Sequence, residues 1–418
     1  MFSFLSLNSC LCYLLLLLSG ASWCLTSSSQ PPAWMFDIRD AVEVIERNRS
    51  SFSKSPSAKG VQKVCYPEFG CFTTGDKISP FAHTGLLPQP PEVLQTAFYA
   101  FTPASQEHPK LVLRPNSDVQ GLLQELLLMK SAKTMPADQP KTRKVLAVIV
   151  HGYGMSYRSY GFFDLKDALL VHGANGELGV VVLSVQWKEG ARTGSPESFA
   201  QACTNVQLVG AQLGHLLAKI RSKLSAEQNS LISLYCIGYS LGAHVCSFAG
   251  RFTQEQANFS LDRITGLDPN WALFEGHPGS HLRPSDALFV DVLHTSAGRR
   301  LMAGEHGFSE AVGHADFYLN GGAHQPMCEQ GVDASNLVCD HFSGVQYYIA
   351  SLTASLECTF IGYPQEGGDD GAGGKHLPKV MGFWSYRDEE KEEEEGDKSS
   401  NISIKYYLNT TDHYPYCD

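Results

Sequence analysis

The run Cys236-Ile237-Gly238-Tyr239-Ser240-Leu241-Gly242-Ala243-His244-Val245 constrains this chain more than any other stretch. It places a serine between two glycines in the pattern G-x-S-x-G. The apolar run 231–237 before it has the length and composition of a buried strand, and the small and apolar residues from Leu241 to Arg251 have helical spacing. Strand, tight turn and helix together are the context in which such a serine sits strained and exposed at the top of a sheet. The bare pattern also occurs in ordinary strand-to-helix turns, so the flanking elements carry the reading. A helix starting at Leu241 would aim its unpaired N–H groups at negative charge forming above Ser240.

The rest of the body fits that element. Residues 145–150 read Val-Leu-Ala-Val-Ile-Val, a strand buried on both faces, and 178–187 reads the same way. Helical spacing covers 162–172 and 198–224. Short apolar runs at 263–267 and 287–293 read as further strands, and 379–386 and 402–407 as strands that return to the sheet. Strands alternating with long helices predict an α/β protein with a mostly parallel central sheet covered by helices on both faces. The expected organisation is an N-terminal targeting segment at 1–21, an extension at 22–60 and one catalytic domain at 61–418. Mobile inserts are expected near 365–376, rich in glycine and aspartate, and 388–400, rich in charge.

Residues 1–21 contain no acid or base, with an apolar core at 14–18 and small residues at 19–21. This predicts a secretory signal peptide, because the apolar stretch is shorter than the roughly 20 residues a spanning helix needs. No later segment is apolar enough for a transmembrane anchor. Sequons at Asn48, Asn258, Asn401 and Asn409 agree with a secreted, extracellular protein. Cys65 and Cys71 could close a short loop, as could Cys328 and Cys339, and Cys358 could tie to Cys417. Cys203, Cys236 and Cys246 lie in apolar periodic segments and are expected to be buried thiols. The net charge of −11 is uneven, since seven acids and one lysine at 388–395 contribute −6. No basic cluster suggests nucleic acid, heparin or anionic lipid.

A serine hydroxyl becomes a nucleophile only when a base takes its proton, and the base needs an orienting acid. In this architecture the order along the chain is serine, acid, histidine. Asp268 follows the next strand after the elbow helix, which puts it on the same rim as Ser240. Asp286 and Asp291 are its rivals, and Asp291, inside a strand, reads as a structural acid. For the base, spacing leaves His294, His314 and His341 open.

The elbow motif, Gly266-Leu267-Asp268-Pro269, Phe289-Val290-Asp291-Val292-Leu293-His294-Thr295 and Val312-Gly313-His314-Ala315-Asp316-Phe317-Tyr318-Leu319-Asn320-Gly321-Gly322 together resemble the animal pancreatic/hepatic/lipoprotein lipase family. So do Cys65-Tyr66-Pro67-Glu68-Phe69-Gly70-Cys71-Phe72 and Trp187-Lys188-Glu189-Gly190-Ala191-Arg192-Thr193. The resemblance runs from about 61 to 363 and resumes near the C-terminus. It implies an α/β-hydrolase fold and a serine esterase acting on lipid at an interface. It also implies that the base is His341, which follows Cys339 of the lid loop, and that the oxyanion is held by the N–H groups of Tyr153 and Leu241. His294 and His314 become structural.

Two departures from the family stand out. The family's structural calcium loop reads here Gly276-His277-Pro278-Gly279-Ser280-His281-Leu282-Arg283-Pro284-Ser285-Asp286. Arg283 stands where an oxygen ligand is usual and the loop is one residue short. Asp286 would be a ligand only if calcium is retained, and no cofactor is expected to be required. The lid between Cys328 and Cys339 holds ten residues, about half of what the family's triglyceride lipases carry. It is similar in length to the phospholipase A1 branch. The β-sandwich domain that usually follows in the family is not expected here. The sequence thus predicts a secreted lipase of acylglycerols, with phospholipase A1 and a silent lipid-binding protein as the rival readings.

Overall fold

The structure is a computed structural model that describes residues 61–74, 81–129, 144–174, 179–194, 196–277, 279–328, 336–354, 358–364, 377–385 and 403–417. The expected signal peptide, the extension 22–60, both inserts and most of the lid loop lie outside these residues. A two-stranded hairpin, β1 (Lys63–Tyr66) and β2 (Gly70–Thr73), is closed by the Cys65–Cys71 disulfide. The helix α1 (Pro91–Leu94) leads into the antiparallel edge strands β3 (Ala97–Phe101) and β4 (Leu111–Leu113), and α2 (Gln120–Leu128) follows.

The parallel part then unfolds as strand and helix alternate. Strand β5 (Lys144–Val150) is followed by α3 (Phe162–Ala174), β6 (Gly179–Gln186), α4 (Pro196–Lys223), the short α5 (Ala226–Ser230) and β7 (Ile232–Tyr239). Helix α6 (Leu241–Ala257), β8 (Leu261–Leu267), β9 (Ala287–His294), β10 (Ala315–Leu319) and α7 (Asn336–Thr353) come next, and β11 (Ile361–Pro364), β12 (Lys379–Val380) and β13 (Ile404–Leu408) complete the order. Eleven strands form one sheet in the order β12-β11-β13-β10-β9-β8-β7-β5-β6-β3-β4. The run from β13 to β6 is parallel throughout, and the flanks β3–β4 and β11–β12 are antiparallel.

Strand periodicity explains how the layers are held. In β5, Leu146, Val148 and Val150 point into one apolar core shared with α4 and α6. Val145, Ala147 and Ile149 point into the other, shared with α3 and α7. A strand that must feed both cores has no room for alternation with polar residues, which is why β5 reads as continuous hydrophobes. This is the predicted α/β sheet with helices on both faces. Helix α4 ends where Ser225 caps the next helix, its hydroxyl accepting from Gln228 N while the Gln228 side chain returns to Ser225 N.

Two expectations need correction. The run 379–386 is a strand only at Lys379–Val380; Gly382 turns the chain at φ 95°, and the carbonyls of Gly382 and Phe383 accept from the Arg263 guanidinium instead of a sheet neighbour. Cys236 and Cys246 are not free thiols but a disulfide with Cα atoms 5.8 Å apart. The reason is geometric: β7 runs up to the turn at Ser240 and α6 runs back along it, so residues before and after the turn meet side by side. Cys203 is a buried free thiol, and burial raises its pKa well above the ordinary thiol value. Cys328 is bridged to Cys339 and Cys358 to Cys417.

Candidate active site

The elbow is built by close approach of backbones. A Cβ on Gly238 would lie 2.3 Å from the Gly242 carbonyl oxygen, and one on Gly242 would lie 2.2 Å from the Val150 carbonyl oxygen. Only glycine permits both contacts. Between them Ser240 is forced to φ 55°, ψ −121°, a conformation rare for a residue with a side chain. Its hydroxyl makes no cap bond to the helix it starts. Strain at a buried, otherwise well-packed turn is a mark of a functional position.

Register carries Asp268 to the same level. Tyr239 pairs with Leu267 across β7 and β8, so Ser240 and Asp268 are the next residues beyond the sheet on adjacent strands. Ser240 N donates to Leu267 O at 3.0 Å and Asp268 N to Leu293 O at 2.8 Å, which locks both turns to the sheet end. Helix α7 then brings His341 in from the other side. Its Nδ1 lies 2.6 Å from Asp268 Oδ2, and the imidazole packs on the Tyr239 ring, 4.7 Å between centroids. Asp268 and His341 are thus joined by a direct hydrogen bond. Ser240 is the residue after Tyr239, on whose ring the imidazole packs. All three side chains are nearly inaccessible, with Ser240 the most open at 5%.

Asp268 is a fully buried carboxylate, and burial alone would raise its pKa. The hydrogen bond and charge of His341, the Ser296 hydroxyl and the Thr295 N–H outweigh burial, so the pKa is lowered and the group stays ionised. Its second oxygen accepts from Thr295 N at 2.8 Å and Ser296 N at 3.1 Å. Ser296 and Thr295 were not singled out in the sequence. Thr295 and Ser296 reach Asp268 from the end of β9, 27 and 28 residues away respectively, and no spacing rule announces that.

The expected oxyanion donors belong to the residue after the serine and to the turn after β5. Leu241 opens α6, where a helix start leaves N–H groups without intrahelical partners. Tyr153 follows His151-Gly152 at the end of β5, and a Cβ on Gly152 would come 3.0 Å from the Ser240 Cβ. The turn is anchored by His151: its Nδ1 donates to Gly152 O at 2.9 Å, its Nε2 accepts from Trp187 N at 3.2 Å, and the Trp187 indole donates to His151 O.

The histidines left open by spacing are separated by their partners. His294 has both ring nitrogens engaged, by Phe308 O and Asp316 at 2.9 and 2.8 Å, and His314 accepts from Val290 N. Asp291 is bound by Arg263 through both carboxylate oxygens and by the Thr265 hydroxyl, all inside the sheet, so it is a structural acid. The Cys328–Cys339 bridge closes the expected lid loop just before His341, and Phe342, next to His341, packs against Tyr160 and Tyr239.

Asp286 is unsuited to a divalent cation. Its carboxylate already accepts from Arg251 Nε at 2.9 Å, Arg283 Nε at 3.1 Å, Arg283 N at 3.0 Å and Ser247 Oγ at 2.6 Å. Arg251 also takes the carbonyl oxygens of Gly279 and His281. Calcium needs six to eight oxygens and an excess of negative charge; here two guanidinium groups face one carboxylate. Among the described residues no group of three or more His, Cys, Asp or Glu could hold a metal ion. Thermal unfolding should therefore be unchanged between excess EDTA and millimolar calcium. A rise in the midpoint of several degrees with calcium would show that a cation binds here after all.

A mostly parallel sheet with helices on both faces, a strained serine elbow at the end of its β7 and an imidazole bonded to a buried carboxylate on the next strand end place the chain in the class of α/β-hydrolase folds. Its family is also defined: the model of the Lipase family matches residues 62–416, and the chain belongs to that family. It is 30% identical to pancreatic lipase-related protein 2 of Cavia porcellus over 363 residues, covering 83% of this chain and 72% of that protein. It is 28% identical to the pancreatic triacylglycerol lipase of Homo sapiens over 368 residues, 84% of this chain and 71% of that one. The inactive pancreatic lipase-related protein 1 of Canis lupus familiaris is 32% identical over 315 residues, 71% of this chain. The match spans 60% of the length of that relative. Family membership therefore does not by itself establish catalysis, because one of these relatives is named inactive.

Proposed function

We propose that this chain is a secreted lipase that hydrolyses carboxylic esters of acylglycerols through an acyl-enzyme. The observation that supports the reading most is the 2.6 Å bond from His341 to the buried Asp268, at the level of a strained Ser240. Ser240 attacks the ester carbonyl while His341 takes its proton. Asp268 holds the imidazole with Nδ1–H facing it, so that Nε2 is the basic atom. Developing negative charge on the carbonyl oxygen is met by the N–H groups of Tyr153 and Leu241. His341 then protonates the leaving alcohol, and water releases the acyl group by the reverse sequence. Secretion is supported by the apolar N-terminal stretch, by sequons at Asn258 and Asn409 that are exposed, and by the bridged cysteines. No helix among the described residues is long and apolar enough to cross a membrane.

The second reading, phospholipase A1, is favoured by one feature, the ten-residue loop between Cys328 and Cys339. A short lid covers less of the site, leaving room for a bulky headgroup and little need for interfacial activation. Comparing a triglyceride emulsion with phosphatidylcholine vesicles separates the two. The acylglycerol reading expects the emulsion to be hydrolysed at least tenfold faster per enzyme; the reverse order replaces it with phospholipase A1. A silent lipid-binding protein is told apart by a fluorophosphonate probe, which labels only an activated serine.

A further inference from the structure

We propose that Ser296 is a positioning residue of the catalytic relay, a hydroxyl whose single proton is committed to Asp268 so that the carboxylate holds His341 in one orientation. The inference rests on the hydrolase reading above and assigns a fourth side chain to it.

The commitment follows from counting donors and acceptors. A serine hydroxyl has one proton to give and two lone pairs to receive. In this site the Ser296 oxygen accepts from His306 N at 3.2 Å and from Gly307 N at 3.1 Å. Both donors are backbone N–H groups that cannot turn away, and the Gly307 N–H is shared with the Ser296 carbonyl oxygen at 2.9 Å. The remaining proton meets Asp268 Oδ2, with which Ser296 Oγ makes a short hydrogen bond. The His341 Nδ1 also lies 3.3 Å from Ser296 Oγ. That nitrogen is closer to Asp268, at 2.6 Å, and its proton goes there. Asp268 Oδ2 therefore receives two donors, one from Ser296 and one from His341, while Oδ1 receives the N–H groups of Thr295 and Ser296.

The four donors fill the carboxylate and leave it one orientation. Gly307 completes the seat, since a Cβ there would stand 2.3 Å from Asp268 Oδ1. Residue 296 thus contributes twice, by its N–H and by its hydroxyl, to two different oxygens of the same carboxylate. Ser296 and Asp268 are both fully buried, so water cannot replace the hydroxyl without entering the relay. The other titratable groups facing this cluster are Tyr239, whose ring lies 4.7 Å from that of His341 and which feels the Asp268 charge, His306, whose ring lies 5.1 Å from that of His341, and Asp340, which also feels the Asp268 charge.

Removing the hydroxyl should act on the chemical step and not on lipid binding. In Ser296→Ala, kcat on a soluble short-chain ester should fall about tenfold to hundredfold, the range for one hydrogen bond to a charged group. KM should stay within about twofold, and fluorophosphonate labelling should slow by the same factor as kcat. The acid limb of kcat/KM should move to higher pH, because Oδ2 without its second donor offers more of its charge to the imidazolium. Ser296→Cys keeps the position filled with a weak donor and should show a smaller loss in the same direction, which covers the case in which the alanine variant does not fold. A folded Ser296→Ala or Ser296→Cys enzyme with wild-type kcat, or one that loses kcat with an unmoved acid limb, overturns the assignment while leaving the hydrolase reading intact. A wild-type protein that neither hydrolyses esters nor labels with the probe overturns both.

Discussion

Replacing Ser240 by alanine should abolish ester hydrolysis, with a loss of at least about a thousandfold, and leave the fold intact. Deleting the nucleophile of a relay of this type removes the acyl-enzyme route entirely, and only binding and oxyanion contributions remain. The measurement is turnover of a soluble ester beside thermal unfolding of the same preparation. A variant that retains a tenth of wild-type activity would show that a different group attacks. Ser240→Gly sharpens the point. The native backbone at this position, φ 55° and ψ −121°, suits glycine and strains any residue with a Cβ. Strain of this kind costs about 1–3 kcal/mol. Ser240→Gly should therefore be inactive and also more stable than wild type by about 1 kcal/mol, after the extra chain entropy of glycine is subtracted. An inactive but less stable glycine variant would mean that the elbow is not strained in solution.

The sequence made this turn legible because three independent signals coincide there. The apolar run before Ser240 has the length of a strand, the residues after it have helical spacing, and the glycines at 238 and 242 sit where backbones must touch. Asp268 was readable for a related reason: it follows a strand that pairs with β7, and register does the rest. His341 was not readable from spacing alone. It sits within a helix whose approach to the rim depends on how α7 crosses the sheet, and that is decided by packing far from the histidine itself. The family's motif order distinguished it from His294 and His314, and their hydrogen-bond partners now explain what those two do.

What the sequence hid is long-range or short-lived along the chain. Strands β3, β4 and β11, of three to five residues, are too short for a period of two to stand out. The Cys236–Cys246 bridge was hidden because each cysteine alone looks like a core residue, in a strand and on a helix face. Only the reversal of the chain at Ser240 brings them together. The same reversal explains why the bridge lies beside the elbow, where it clasps the two elements that hold the serine. Ser296 was hidden because its importance lies in which atoms its lone pairs face, and those belong to backbone 10 and 11 residues further on. The Arg283 departure, by contrast, was visible as a charge of the wrong sign, and the structure adds Arg251, a second guanidinium on the same carboxylate.

Acid should destabilise this protein well above the carboxylate range, beginning near pH 6.5, because two buried histidines are held neutral. Burial lowers the pKa of His151 to about 4, against hydrogen bonds to Gly152 and Gln186 that act to raise it. Burial lowers that of His244 to about 3, with the Asn270 carbonyl opposing and the charges of His281 and Arg251 assisting. The hydrogen bonds show why neither ring can take a proton in place. His151 uses Nε2 to accept from Trp187 N, and His244 uses Nδ1 to accept from Leu282 N at 3.2 Å while Nε2 faces Asn270 O. Protonation would set two hydrogens against each other in the turn after β5 and along the elbow helix. Between the folded and unfolded pKa values the unfolded chain binds protons that the native state refuses, so stability rises with pH in this window and falls on acidification. Each histidine contributes up to about 1.4 kcal/mol per pH unit, or roughly 2 kcal/mol between pH 6.5 and 4.5. Asp262 and Asp340, whose pKa values burial raises, work in the opposite sense. A glutamine at either position offers a donor and an acceptor but does not titrate. Denaturant midpoints at pH 7.0 and 5.0 should converge by about half in His151→Gln relative to wild type. If both proteins lose the same stability on acidification, the acid sensitivity comes from other groups and these imidazoles are not its source.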